Sequence, residues 1–246
     1  MTTRVINNAI KAALQNLDKP LAIILAGHNG SGKTTLWYKH IAQHLTIPLI
    51  NADRMMLSIL PEPNSRTRHL PAWAQNLRDN DKLWMSIAQR GVQAFVAQAM
   101  GSKAAFAMET VFSYWEEQAN GTIKSKIDTI ADLQGAGYFV LLMFVGLTSV
   151  SLSIGRVHTR TAEGGHDVDF QKLRSRFPRT QHAVNKALKV ADATILFDNS
   201  RSQKSAFTPV HIRTKTGVMF DIRNTMRRKP RTITTWLDIV APLSED

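Results

Sequence analysis

Gly27-His28-Asn29-Gly30-Ser31-Gly32-Lys33-Thr34-Thr35 decides the fold. It follows an apolar run, Leu21 to Ala26, and precedes a helix-compatible stretch, Leu36 to Leu45. The order is strand, glycine-rich loop, helix, with the spacing G-x-x-x-x-G-K-T. Glycines at 27, 30 and 32 let the backbone turn tightly and point its N–H groups inward around a phosphate. The helix that begins there adds its positive N-terminal end. Lys33 is placed to reach the β- and γ-phosphates, and the Thr34 hydroxyl to ligate Mg²⁺. All nine residues from Gly27 to Thr35 are candidate contacts to a nucleoside triphosphate.

Outward from the loop, buried strands and helices alternate. Ile47 to Ile50, Ala104 to Met108, Tyr138 to Val145 and Ala193 to Phe197 join Leu21 to Ala26 as continuous apolar strands. Helical patterns cover Ala9–Leu17, Ala72–Ala99, Ile123–Leu133, Leu147–Glu163 and Lys172–Val190, the last interrupted at Pro178. Pro61–Arg68 and Val111–Asn120 read as loops, the second with room for a short helix. Five such strands predict an α/β domain with a parallel sheet covered on both faces. Phe207–Arg213 and Val218–Ile222, with Lys215-Thr216-Gly217 between them, read as a β-hairpin. The expected division is a kinase-like domain over 1–200 and a β extension with a basic tail over 201–246, packed on the same domain.

Three strand ends offer polar groups at one sheet edge: the loop, Asp53 and Glu109. Phosphoryl transfer needs a group to orient or deprotonate the attacking hydroxyl and a group to hold magnesium. Asp53 is the candidate base, although Asn51 or Asp53 can equally cap a helix starting near Arg54. Glu109, followed by Thr110, is the candidate for a magnesium-water or substrate contact. Arg156 and Arg160 lie four apart on one helix face, where two like charges suit an anion between them. Gly164-Gly165 gives a hinge for a lid. His166 is then either a substrate contact or a cap. Asp198-Asn199-Ser200 reads as a turn or as part of a nucleobase site.

The 246 residues carry a formal charge of +12 and no cysteine, which excludes disulfides and thiolate zinc sites. Residues 154–190 hold eight Lys/Arg against three acids, and 201–231 hold nine against Asp221 alone. Nucleotide phosphates, a nucleic acid or an acidic protein would suit that basic half. No apolar run reaches bilayer length, and Met1–Asp18 lacks an apolar signal core, so a cytoplasmic location is expected. The chain has no Asn-Lys-x-Asp, no Leu-Ser-Gly-Gly-Gln and no apolar run ending in Asp-Glu. These absences count against a GTPase switch, a transporter ATPase and a helicase. A small kinase of the phosphate-loop class remains; a nucleic-acid-directed kinase or ATPase is the alternative.

The set Gly27–Thr34, Asn51-Ala52-Asp53, Glu109-Thr110, Arg156-Val-His-Thr-Arg160, Gly164-Gly165-His166-Asp167-Val168 and Ala191-Asp192 to Phe197-Asp198-Asn199-Ser200 resembles the zeta-toxin family of P-loop kinases, over Leu21 to Ser200. It is most similar to the stand-alone bacterial branch often labelled predicted ABC-type ATPases. The resemblance implies an adenylate-kinase-like core, ATP and Mg²⁺, and phosphorylation of a hydroxyl on a nucleotide-sugar such as UDP-N-acetylglucosamine. It also implies the toxin of a toxin–antitoxin pair, with an acidic antitoxin as partner. Asp53 then matches the family's catalytic Asp, Lys33 its loop lysine and Glu109 its Walker-B-like Glu, with Arg156 and Arg160 as the nearest lid arginines. The candidate substrate contacts are Asp53, Glu109, Thr110 and His166, and the candidate metal contacts Thr34 and Glu109. The basic tail from Arg201 has no counterpart in that pattern.

Overall fold

The computed structural model describes residues 2–14, 18–67, 69–226 and 229–243. The predicted helix end at 15–17, Arg68 and the Arg227-Arg228 part of the basic run lie outside them. In chain order the elements begin with α1 (Thr2–Ala13), β1 (Leu21–Gly27) and α2 (Lys33–Leu36), which widens into a π-helical turn over Trp37–Ile41. Then come β2 (Leu49–Ile50), α3 (Ala52–Leu57), α4 (Ala72–Asn80), α5 (Lys82–Ser102), β3 (Phe106–Thr110), β4 (Trp115–Glu117), β5 (Ile123–Ser125) and α6 (Ile127–Gly135). The chain continues through β6 (Phe139–Gly146), α7 (Val150–Ala162), α8 (Phe170–Ala187), β7 (Ala193–Asp198), β8 (Thr208–Thr214), β9 (Gly217–Asp221) and α9 (Arg231–Val240).

The sheet runs β2-β3-β1-β6-β7-β8-β9. Its first five strands are parallel, as their apolar character predicts, and β8 and β9 join antiparallel at one edge. The predicted hairpin therefore extends the same sheet. Side chains alternate between two cores. Ala22, Ile24, Val140, Leu142 and Phe144 face α6, α8 and α9, whereas Ile23, Leu25, Leu141 and Met143 face α1 and Trp37. β1 is buried along its whole length. Asp192 ties the start of β7 to β6: its carboxylate accepts from Val140 N at 2.9 Å and Gln134 Nε2 at 3.0 Å, and pairs with Lys215 Nζ at 2.5 Å.

Several expectations change in physical detail. The helical stretch Ala72–Ala99 is two helices. Asp81 leaves helical geometry and caps α5, accepting from Trp84 N at 2.8 Å. Part of Val111–Asn120 is strand, because Trp115–Glu117 pairs with Ile123–Ser125, and α6 begins only after that hairpin. The helix expected from Leu147 starts at Val150, capped by Ser149 Oγ. Pro178 does not interrupt α8. Leu173, Phe177, Thr180, Gln181 and Val184 bury one face of that helix. The Arg179 and Thr180 side chains donate to the Ser175 and Arg176 carbonyls beside the proline, and packing outweighs its helix-breaking tendency.

The C-terminal apolar piece is a core element. Trp236 on α9 is 2% exposed and lies against Gly146 at the end of β6. A Cβ built on Gly146 would sit 2.0 Å from the indole Cζ2. Arg223 fixes the same segment: it forks onto Asp221, pairs with Asp238 at 2.7 Å and donates to the Ala241 carbonyl. This part of the basic tail is an internal clamp. Gly146→Ala should therefore destabilise the protein by about 1–3 kcal/mol through overpacking, lowering Tm by several degrees in a thermal melt. An unchanged Tm would show that the indole does not bear on this glycine.

Candidate active site

Parallel register brings the strand ends together. Leu25 pairs with Glu109, Ala26 with Thr110, Gly27 with Val145 and Gly146 with Asp198. The C-terminal edge of an open α/β sheet is where ligands bind. Gly30 and Gly32 adopt φ of 69° and 89°, the left-handed region that suits glycine. The loop's carbonyls are tied down from outside. Ser153 Oγ on α7 donates to Asn29 O at 2.7 Å, and the buried Asn199 amide donates to Ser31 O at 2.8 Å. Asn199, read from sequence as a turn or a nucleobase contact, is thus a strut for the loop's backbone. Lys33 Nζ donates to Gly27 O and His28 O, each at 3.1 Å, and lies 3.9 Å from Glu109. Burial lowers the Lys33 pKa. Glu109 and then Asp53 oppose that shift, and Arg160 adds to it. Asp53, Glu109 and Arg160 therefore share an electrostatic field with the loop lysine.

His28 is a loop residue with a core side chain. Its ring stacks on Phe177 at 3.9 Å and meets Phe144 edge-on, and Nδ1 accepts from Leu147 N at 3.2 Å. Burial, with Lys33 adding, lowers its pKa to about 3. Only its backbone faces the phosphate cradle, which sequence spacing alone does not disclose.

Glu109 joins the loop to the next strand end. Thr34 Oγ1 donates to both its oxygens at 3.1–3.2 Å, and Asn51 Nδ2 donates to Oε2 at 2.7 Å. A hydroxyl and a carboxylate beside a phosphate cradle are hard oxygen donors that fit Mg²⁺, which fills its remaining positions with water and phosphate. Among the described residues no group of three or more His, Asp or Glu forms a denser metal cluster. Thr110 Oγ1 accepts from Phe112 N at 3.1 Å, within a turn where Phe112 has φ 63°.

The capping question at α3 resolves onto Asn51, whose Oδ1 accepts from Arg54 N at 3.2 Å. Asp53 sits in the first turn and lines a cavity with Met56, Leu57, Pro63, Leu70 and Arg78. The far wall is the Gly164-Gly165-His166 segment. His166 Nδ1 is 2.7 Å from Asp79 Oδ1, which holds the ring against α4 at the wall of this cavity. Arg78 pairs with Asp79 and donates to the carbonyls of Gly164 at 3.0 Å and Gly165 at 3.3 Å. Arg160 Nη2 donates to His166 O at 2.6 Å. The double glycine is therefore pinned. Gly165 leaves no room for a side chain, since a Cβ there would meet Arg160 Cγ at 2.5 Å. Burial would raise the Asp79 carboxyl, but hydrogen bonds from Arg78 and His166 hold it below the usual carboxylate value. Arg156 stands apart, with its Cβ against Gly30 and its guanidinium within the field of the buried Asp198. Arg78, Asp79 and Ser153 are residues around the site that sequence reasoning missed, and the bonds of Asn51 to Glu109 and of Asn199 to the loop were not foreseen. Asn51 stood in the quoted strand end, but Arg78-Asp79 looks like any solvated helix face.

A parallel sheet whose ends present a glycine-rich phosphate loop, a hydroxyl–carboxylate pair and a carboxylate at a separate cavity defines the class of P-loop kinases. A family model described as zeta toxin matches residues 5–207, and the chain belongs to that family. It is an ATP-dependent phosphotransferase. Among solved structures, the AvrRxo1-ORF1:-ORF2 complex with ATP has a chain similar at TM-score 0.57 and 15% identity, over 99% of this chain and 72% of that one. The PezAT chromosomal toxin–antitoxin system of the human pathogen Streptococcus pneumoniae gives TM-score 0.53 and 13% identity, over 98% and 87%. At these identities the likeness bears on the fold. No curated protein matches the chain.

The His28 geometry sets an acid sensitivity. Its folded pKa, about 3, lies below an unfolded value near 6.5. The unfolded chain therefore binds the extra proton between those values, and stability falls as pH drops through that window. Going from pH 7 to 4.5 should cost about 2–3 kcal/mol from this residue. Denaturant melts at both pH values check it: His28→Asn, which keeps an acceptor for Leu147 N, should show the smaller pH difference. Equal differences in both proteins would remove His28 from the explanation.

Proposed function

We propose that the chain transfers the γ-phosphate of ATP to a hydroxyl of a nucleotide-sugar such as UDP-N-acetylglucosamine, and that it is a toxin restrained by an acidic antitoxin protein. The observation that carries the kinase geometry is Asp53, set at a cavity beside the loop and within the field of Lys33. Membership of the zeta toxin family and the +12 charge favour the substrate and partner classes. Asp53 takes the proton of the acceptor hydroxyl as that oxygen bonds to the γ-phosphorus. The bond to the β–γ bridging oxygen breaks, and ADP leaves with its electron pair. Lys33, Arg156 and Arg160 offset the charge that spreads over the phosphoryl oxygens. Thr34 and Glu109 would hold Mg²⁺, which supplies further neutralisation of the phosphates when bound. The backbone of Gly27–Thr35 cradles the phosphates.

Incubation with ATP and UDP-N-acetylglucosamine should yield ADP and a phosphorylated sugar nucleotide by mass spectrometry. Asp53→Ala should lower kcat by about 10²-fold or more and leave ATP affinity within about twofold, since Asp53 touches no loop group. Retained transfer in Asp53→Ala would remove it as the base. Growth arrest on expression, relieved by the same substitution, is the corresponding cellular result.

A further inference from the structure

α8 carries no Asp or Glu in its 18 residues. Arg201, Lys215 and Arg223 are spent on Asp198, Asp192 and Asp221. Among the described residues, no carboxylate pairs with Arg176, Arg179, Lys186 or Lys189. Arg176, Arg179, His182 and Lys186 recur every three or four residues, so they share one side of α8 over about 15 Å. Lys189 follows in the turn that ends the helix. All but Arg176 are exposed. Arg179 donates to Ser175 of its own helix, which leaves its charge unbalanced. The acids around this face are Asp169, at the N-terminal end of α8, and Glu116 and Glu117 on β4; Glu116 already accepts from the Tyr114 hydroxyl at 2.5 Å.

The row starts at the catalytic edge. Arg176 lines a small void with Asn29 of the loop, Ser153 and Val111, and burial, followed by Arg179, lowers its pKa. Rings accompany the charges. Trp115 on β4 meets His182 edge-on at 4.6 Å, and Tyr114 beside it is 41% exposed. Spaced cations suit successive phosphates of an extended strand, and rings give its bases a stacking surface. An acidic polypeptide would use the cations alone, and a duplex keeps its bases stacked inside.

We propose that the outer face of α8, with Tyr114 and Trp115, is a binding track for single-stranded nucleic acid. Its phosphates lie on Arg176, Arg179, Lys186 and Lys189, and its bases stack on Tyr114 and the Trp115–His182 pair. The track is separate from the Asp53 cavity and does not depend on the acceptor proposed above.

Fluorescence anisotropy of a labelled poly-uridine strand of about 20 nucleotides with the full chain tests it. Log affinity should fall against log salt with a slope of about −3, the value for four phosphate contacts on a single strand. Arg179→Gln/Lys186→Gln/Lys189→Gln should bind about tenfold or more weakly and flatten the slope to about −1. Arg4→Gln/Lys11→Gln/Lys39→Gln removes the same charge from α1 and the turn after α2, on the other face of the sheet, and should change neither. Tyr114→Ala should weaken binding about fivefold or more at an unchanged slope. Equal losses in the two triple variants would overturn the proposal, because binding would then follow net charge alone. Absence of binding at low salt would overturn it outright, and a duplex or poly-glutamate of equal length bound as tightly as the strand would overturn the single-strand assignment. Photocrosslinking of a 4-thiouridine strand to the unaltered protein reads the site without any variant: crosslinks at Tyr114, Trp115 or α8 support the track, and crosslinks confined elsewhere overturn it.

Discussion

The Glu109 carboxylate is the contact on which the site depends. Parallel pairing of β3 with β1 sets it level with the end of the loop strand. There it receives Thr34 from the loop and Asn51 from the end of β2, and lies 3.9 Å from Lys33. Asn51 in turn caps α3, so the same residue that holds Glu109 also starts the helix that carries Asp53. Donor loop and candidate base are linked through two side chains. Removing either partner would leave a largely buried polar group unsatisfied, which is more costly than the net worth of the bond itself.

Much of this was legible in sequence because its physics is local. Continuous apolar runs bounded by turn residues marked the parallel strands, and the strand–loop–helix order gave G-x-x-x-x-G-K-T its meaning. Asp53 and Glu109 stood out because they follow strand ends. Other features depend on tertiary contact and leave no local trace. Nothing around Arg78-Asp79 distinguishes it from an exposed helix face until α4 is seen against the Gly164-Gly165 backbone. His28 looks like a ligand contact until its ring is found stacked on Phe177, far along the chain. The double glycine read as a hinge makes close contacts to Arg78 and Arg160 that no local pattern announces.

The last part of the chain extends this logic past the family match, which ends at residue 207. β8 and β9 close the sheet edge beside β7, and α9 covers one face. Trp236 stacks near Phe144, which meets His28 edge-on, so the C-terminal helix and the phosphate loop share one aromatic cluster. Arg223, rather than serving a basic surface, holds that helix by Asp221, Asp238 and the Ala241 carbonyl. Charge that suggests a partner from composition is here partly spent on internal bonds.

In the proposed reaction Glu109 and Thr34 would face the metal, and Lys33 and the loop backbone would bind ATP. Titrating ATP into wild-type and Glu109→Gln protein, with and without Mg²⁺, tests it most directly. Mg²⁺ should tighten ATP binding to the wild-type protein, and Glu109→Gln should lose about tenfold of that gain while keeping its affinity for ATP alone. An undiminished Mg²⁺ effect in Glu109→Gln would contradict it.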